Sequence, residues 1–212
     1  MTASTEFMNF YVLSQKEEQG CPAGILRADL FDRYYSCTRD VEFGFFPWYA
    51  ERGKPGPRTP FPEGMVLISK DENYEFDIRS VSKFFYVVSD EFLAACNSFN
   101  VNVVDSVRID VLSEGGKRTS SKHYNAVLFD ELDVRTNCDP ASTFVEEKGR
   151  PIRFKKLILG DDWKFDLFKY GRQVSGSDSL ICSQAFRDAA IDFKGIDFTS
   201  LETVVWSGVR RI

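Results

Sequence analysis

The sequence predicts an α+β fold made of mainly antiparallel sheets with a few short helices packed on them. Aromatic residues make up 15% of the chain, with 20 phenylalanines among them, and large flat side chains suit the faces of sheets. Short runs of β-branched and aromatic residues recur between turn-forming residues, as expected for strands. At two strand ends a serine precedes apolar residues at helical spacing, which indicates short helices.

The length and composition predict one folded domain. The chain has 212 residues, of which 43% are hydrophobic and 28% are charged, so it can bury a full hydrophobic core. We expect a single domain over residues 8–212, with two packed halves, about 8–133 and 134–212, as the alternative. Residues 1–7 are polar and unpatterned and precede a second methionine, Met8, so we interpret them as a remnant outside the fold.

The first half of the chain predicts an early strand, a loop and a series of further strands. NFYVLS at 9–14 is the first predicted strand. Four prolines and three glycines between residues 53 and 64 exclude a helix or an interior strand, so this stretch is a predicted surface loop. Further strands are predicted at 65–69, 74–79 and 84–89.

The clearest predicted hairpin lies in the middle of the chain. VRIDVL at 107–112 alternates apolar and polar residues, SEGGKRTSSK supplies turn residues, and YNAVLFDEL at 124–132 returns as the partner strand.

A second hairpin is predicted from IRFKKLIL at 152–159 and WKFDLFKY at 163–170, joined by the Gly-Asp-Asp turn at 160–162. In the first of these strands the apolar alternation changes phase, which predicts a bulge near Lys155 and Lys156.

One spaced pattern, S-x2-F-x2-A-x3-F, occurs twice, each time after a short apolar strand. The shared positions are Ser89, Phe92, Ala95 and Phe99 in the first segment and Ser183, Phe186, Ala189 and Phe193 in the second. Each serine can cap the first turn of a helix, so helices are predicted to begin near Asp90 and Ser183. Two readings stay open, namely two related interaction units or a chance recurrence of strand-to-helix corners.

Charge, hydropathy and cysteine usage narrow the class of protein. The net charge is −5, which disfavours nucleic acid as a partner because phosphate binding needs concentrated Lys and Arg. The sequence contains neither an apolar run of about 20 residues nor a secretory pattern, so we expect a cytoplasmic protein with no membrane partner. The scattered cysteines predict reduced thiols and no zinc site. They are Cys21, Cys37, Cys96, Cys138 and Cys182.

The sequence offers no recognisable catalytic, cofactor-binding or metal-binding set. Its one histidine, His123, lies in a polar turn without a nucleophile motif around it. The carboxylates closest in sequence are Asp161 with Asp162, and Asp130, Glu131 and Asp133. Neighbours on a strand point to opposite faces, and the two aspartates after Gly160 favour a tight turn. We therefore expect no enzyme and no cofactor. The alternative is a hydrolase or transferase whose carboxylates converge only in the fold.

A resemblance to a known family begins at the C-terminal stretch FDLFKYGRQVSGSDSLICSQAFRDAAIDFKGIDF. This stretch resembles the closing signature of polymorphic-toxin immunity proteins, the antidotes of contact-dependent, type VI and Rhs-type bacterial toxins. The start NFYVLSQKEEQGCPAGIL resembles the N-terminal strand of one such immunity family. The resemblance covers about half of the chain, and the segments 51–64 and 134–150 have no evident counterpart in it.

The resemblance implies a cytoplasmic antidote that binds and neutralises its cognate toxin, a domain of a secreted effector. Binding would be stoichiometric and would occlude the active site of the toxin. No catalytic residue is implied, because the shared motifs consist of helix caps and core positions. A structural adaptor domain inside a larger assembly is the remaining candidate function.

The residues expected to contact a protein partner are aromatic residues and exposed carboxylates, because Trp and Tyr anchor interfaces and acidic groups steer basic partners. Trp48 and Tyr49, beside the proline-rich loop, are the first choice, and Asp161 with Asp162 the second. For Trp48 the alternative is a core aromatic residue that covers a sheet edge.

Overall fold

The computed structural model describes residues 9–24, 26–37, 60–81, 85–171 and 180–206, without the side chains of Arg150 and Ile152. In chain order the elements of these ranges are β1 (Phe10–Gln15), β2 (Ala28–Phe31), β3 (Val66–Ser69), β4 (Ile78–Ser80), β5 (Tyr86–Ser89), α1 (Asp90–Ser98), β6 (Val103–Ser113), β7 (Tyr124–Phe129), β8 (Glu131–Leu132), β9 (Thr143–Glu147), β10 (Arg150–Lys156), β11 (Leu167–Tyr170), β12 (Ile181–Ser183), α2 (Gln184–Ala189) and β13 (Ile196–Ser200).

The strands form two large sheets and one separate hairpin. The six-stranded sheet has the order β2-β3-β6-β7-β5-β4, the five-stranded sheet has the order β13-β1-β12-β11-β8, and β9 pairs with β10. Neighbours are antiparallel except for the pairs β3–β6 and β8–β11. Two short helices accompany these sheets in the described ranges. The α+β prediction with mainly antiparallel sheets is therefore confirmed.

Several local predictions are confirmed as well. The first strand lies at Phe10–Gln15, and β6 and β7 form the central antiparallel hairpin. The register of β10 shifts between Phe154 and Lys156, which is the predicted bulge. The predicted strand at 74–79 is only partly correct, because the strand begins at Ile78. The backbone before it bonds to separate partners, as when the Tyr74 N–H donates to the Thr119 carbonyl at 2.8 Å.

The predicted hairpin between 152–159 and 163–170 is wrong. β10 pairs with β9, whereas β11 pairs with β12 and β8. The link between β9 and β10 is the pair Lys148 and Gly149, with φ angles of 51° and 72°. Positive φ at both positions is what a two-residue type I′ hairpin turn requires. This short connection closes β10 onto the strand just before it, so the turn after Gly160 leads away from β10 instead of reversing it.

Buried side chains form three clusters, and one of them joins the two large sheets. Among its members are Leu13 and Cys182 from the five-stranded sheet, Val88 and Val127 from the six-stranded sheet, and Phe92 and Phe186 from the helices. Since both sheets and both helices contribute to one apolar cluster, neither sheet buries its inner face alone.

Both predicted helix caps are present. Ser89 Oγ accepts a hydrogen bond from the Phe92 N–H at 3.1 Å, and Ser183 Oγ accepts one from the Phe186 N–H at 3.2 Å. α1 then begins at Asp90 and α2 at Gln184, which confirms both predicted starts.

Each copy of the repeated unit also includes an aspartate that lies outside the S-x2-F-x2-A-x3-F pattern. Ser89 Oγ donates to Asp77 Oδ1 at 2.5 Å, and Ser183 Oγ donates to Asp166 Oδ1 at 2.7 Å. The N–H of each serine also donates to the carbonyl of its own aspartate at 2.9 Å. Each unit therefore consists of an aspartate, two antiparallel strands and a capped helix.

Each aspartate also bonds to the loop after the helix of the other unit. Lys194 N–H donates to Asp77 Oδ2 at 2.7 Å, and Asn100 N–H donates to Asp166 Oδ2 at 3.0 Å. In return Asp77 N–H donates to the Lys194 carbonyl at 3.0 Å and Asp166 N–H to the Asn100 carbonyl at 2.9 Å. We call these two reciprocal sets the aspartate cross-links.

The aromatic contacts between the units are reciprocal too. Phe92 packs against Phe186 with ring centroids 5.8 Å apart. Phe92 also contacts Phe193 at 5.6 Å, and Phe186 contacts Phe99 at 5.4 Å. The contacts between the two copies are thus reciprocal, as an approximate two-fold relation between two related units would produce.

The neighbouring strands follow the same symmetry in a different chain order. β5 pairs with β7, which pairs with β6, whereas β12 pairs with β1, which pairs with β13. The counterpart of β7 in the second unit is therefore β1, at the N-terminal side of the described chain.

Candidate partner-binding groove

An open groove of about 530 Å³ lies between the end of β10, the turn after it and the segment that follows β13. Its lining is Asn9, Phe10, Lys155, Lys156, Leu157, Ile158, Leu159, Gly160, Asp161, Ser200, Leu201, Glu202, Val204 and Trp206. Its volume falls within the range of about 300–1,000 Å³ that is usual for ligand pockets.

The groove combines apolar lining with charged residues of both signs. Phe10 and Leu157 are buried, and five further apolar side chains of the lining, including Val204 and Trp206, are half-buried. The charged members are exposed, namely Lys155, Lys156, Asp161 and Glu202. An apolar centre with a polar rim is the usual anatomy of a protein-binding surface.

One wall of the groove is held by hydrogen bonds from the segment before β9. Ser142 Oγ donates to the Ile158 carbonyl at 3.1 Å, and the Ile158 N–H donates back to Ser142 Oγ at 2.9 Å. The same carbonyl accepts from the Asp139 N–H at 3.0 Å. These bonds fix the backbone just after the bulge that exposes Lys155 and Lys156.

The opposite wall is held by contacts with β1 and β10. Leu201 N–H donates to the Phe10 carbonyl at 2.9 Å. Arg153 Nη1 donates to the Trp206 carbonyl at 3.1 Å, and the Trp206 ring packs on Phe154 with centroids 5.1 Å apart. Both walls are thus formed within the described chain itself, without a partner.

Of the four residues predicted to contact a partner, the structure describes two, Asp161 and Asp162. Asp161 and Asp162 are both exposed and form the predicted turn, in which the Trp163 N–H donates to the Gly160 carbonyl at 3.1 Å. Asp161 lines the groove. Trp48 and Tyr49 lie outside the residues that the structure describes. Partner contact by these four residues stays a prediction.

Most of the groove cannot be predicted from the sequence. There Lys155 and Lys156 indicate only a bulge, and Glu202 and Trp206 carry no signal of a binding site. The available signal was a pair of adjacent lysines at a phase change, followed by Leu157 and further apolar residues. That signal does not reveal the opposite wall, which is distant in sequence.

An aromatic cluster around Trp163 directly follows the turn at Asp161 and Asp162 in the chain. The Trp163 ring lies 4.6 Å from the Phe168 ring and also contacts Phe165 and Tyr170. Its buried indole N–H has no hydrogen-bond partner among the described residues. This packing fixes the base of the turn that presents Asp161 to the groove.

Three of the carboxylates considered for catalysis make structural contacts. Glu131 pairs with Lys169 at 3.2 Å, and Asp130 Oδ1 accepts from the Glu131 N–H at 2.9 Å. Asp133 Oδ1 accepts from the Arg135 N–H at 2.8 Å. Across the described ranges, no group of three or more His, Cys, Asp or Glu residues is placed to hold a metal ion.

His123 lies in the predicted connection between β6 and β7, and the cysteines are free thiols as predicted. His123 is exposed, with Nδ1 2.7 Å from Arg118 Nη2. All five cysteines are free thiols, three of them buried.

No helix in the described part of the chain is long and apolar enough to cross a membrane.

Comparison with known proteins identifies the family. The family model described as Immunity protein 43 matches residues 48–207, a range with both aspartate cross-links and most of the groove. The match includes the segments 51–64 and 134–150, while the N-terminal strand that contributed to the resemblance lies outside it. No curated protein shows significant similarity to the chain. Because the matched range covers well over half of the sequence, the chain belongs to the Immunity protein 43 family.

Proposed function

We propose that this protein is an antidote that binds a cognate protein toxin and blocks the active site of that toxin, without catalysing a reaction itself. The observation that carries the proposal is membership of a family of immunity proteins. Neutralisation in the cytoplasm of the cell that makes the antidote is part of the proposal.

The charge balance and the groove support a binding role. A net charge of −5 favours encounter with a basic partner. The groove offers apolar surface within a charged rim, which suits a protein contact better than it suits turnover. Glu131 forms an ion pair, and Asp130 and Asp133 accept hydrogen bonds from backbone N–H groups, so a hydrolase or transferase gains no support from these carboxylates.

The test is co-expression with the toxin encoded by the neighbouring gene, since the family resemblance implies an antidote that is encoded beside its toxin. Cells that make the toxin alone should stop growing, and cells that also make this protein should grow. The two purified proteins should then elute together as one complex in size-exclusion chromatography. Failure to protect against the neighbouring toxin, together with separate elution, would reject the proposal.

A further inference from the structure

We propose that the groove is the surface on which the toxin docks, and that its occupant is a toxin loop with one large apolar side chain between an acidic and a basic residue. The inference rests on the proposed function and names the contact surface and the chemistry of the partner segment.

The apolar lining indicates the first part of the occupant. Leu159, Leu201, Val204 and Trp206 are half-buried in the free chain, so their remaining exposed surface is available to a partner. A large apolar side chain that fills such a site removes this surface from water, and anchors of this kind dominate binding free energies.

The charges indicate what flanks that side chain. Lys155 and Lys156 follow one another on β10, while Asp161 and Glu202 supply the carboxylates of the same lining. All four are exposed and therefore ready to pair across an interface. Opposite charges on the toxin loop, beside its apolar side chain, would pair with both signs, and reversing either sign in the groove would place like charges together and weaken binding.

A comparison of the two units supports a binding role for the groove. In the first unit β6 continues to Ser113 and pairs with β3. Its counterpart β13 ends at Ser200, where the Val204 N–H donates to the Ser200 carbonyl at 2.9 Å and turns the chain aside. The groove therefore lies where the second unit differs in structure from the first. It is not part of the structure that the two units share.

Hydrogen bonds within the chain hold both walls of the groove without a partner. Hydrogen bonds to Ser142 hold one wall, and the Arg153 bond to Trp206 holds the other. Preformed walls lose little conformational entropy when a loop docks, which favours tight binding.

The experiment measures the affinity of the full chain for the purified toxin by isothermal calorimetry. Val204→Glu places a charge in the apolar lining, and Lys156→Glu and Asp161→Lys reverse the rim charges. Each should weaken binding by about tenfold or more. The controls Ile191→Glu, Lys70→Glu and Asp192→Lys make the same changes at exposed positions outside the groove and should leave the affinity within about twofold.

A second measurement uses only the wild-type chain, so it does not depend on whether the variants fold. Hydrogen exchange of the wild-type chain should slow at 155–161 and 200–206 when the toxin is added. If the toxin binds but these segments keep their exchange rates, or if folded groove variants bind normally, the toxin docks elsewhere and the docking proposal is rejected while the proposed function stands. If the wild-type chain does not bind the toxin, the proposed function itself fails. A small molecule that fills the groove while the toxin remains bound would also reject the docking proposal.

Discussion

At the scale of single residues, the best-defined polar site is the buried guanidinium of Arg79, which is 2% exposed. It donates to the carbonyls of Pro22 at 3.0 Å, Ile78 at 2.8 Å and Gly195 at 2.7 Å, and burial lowers its pKa. The side chain thereby joins the N-terminal turn, β4 and the loop before β13. A buried cation needs such a complete set of acceptors, because its desolvation is costly.

Gly195 is the position where this site tolerates no side chain. Its φ is 76°, and an added Cβ would lie 2.8 Å from Arg79 Nη2. Gly195→Ala should lower the free energy of unfolding by about 2 kcal/mol, from backbone strain and displacement of the guanidinium. The control is Gly149→Ala, because Gly149 has a φ of 72° and open space around it, so strain alone acts there. Equal losses for the two variants in urea unfolding would contradict the account of Arg79.

The thiols should differ sharply in reactivity. Cys37 is exposed, whereas Cys96 and Cys182 are buried, and burial raises the pKa of Cys96 to about 12. Because the thiolate is the reactive form, iodoacetamide at pH 8.5 should modify Cys37 in the folded protein and leave the two buried thiols intact. After unfolding without reductant, mass spectrometry should show all five cysteines modified. Modification of Cys96 in the folded protein, or a stable disulfide, would overturn this assignment.

At the scale of elements, the aspartate cross-links connect the two units. Each carboxylate binds its own capping serine with one oxygen and the loop of the other unit with the second oxygen. Removing one serine hydroxyl therefore weakens a helix start and also leaves a carboxylate oxygen with one hydrogen bond fewer. We propose on this basis that the two units unfold together as one domain.

Ser89→Ala and Ser183→Ala should each lower the free energy of unfolding by about 1–2 kcal/mol, the usual range for a lost helix cap. Both should shift one common transition, seen at the same urea concentration by tryptophan fluorescence and by far-ultraviolet circular dichroism. Ser98→Ala is the control, because its exposed hydroxyl only donates to the Ala94 carbonyl within α1. Two separate transitions, or an effect of Ser98→Ala as large as that of the caps, would contradict the proposal.

At the scale of the whole molecule, local patterns in the sequence predict the elements better than their partners. The alternation in β6 and the serine caps are visible within a few residues, and they are confirmed. The pairing of β10 was missed because the turn at Lys148 and Gly149 carries no asparagine or proline signal.

The cross-links and the groove were missed because distant residues form them. Asp77 lies 12 residues before its serine and Asp166 lies 17 residues before its own, so one spacing does not describe both. The groove combines β1 with 155–161 and 200–206, and no local pattern connects these segments.

The central claim is that this protein neutralises a toxin by occupying it, and titration of toxin activity tests that claim most directly. A fixed amount of purified toxin is mixed with increasing amounts of this protein, and the remaining activity is measured. Occlusion predicts a linear fall of toxin activity that ends near an equimolar ratio. In separate binding kinetics, reversing the charge of Asp161 should slow association more than it speeds dissociation. Complete protection by a clearly substoichiometric amount would mean that the protein acts catalytically, and would contradict the account.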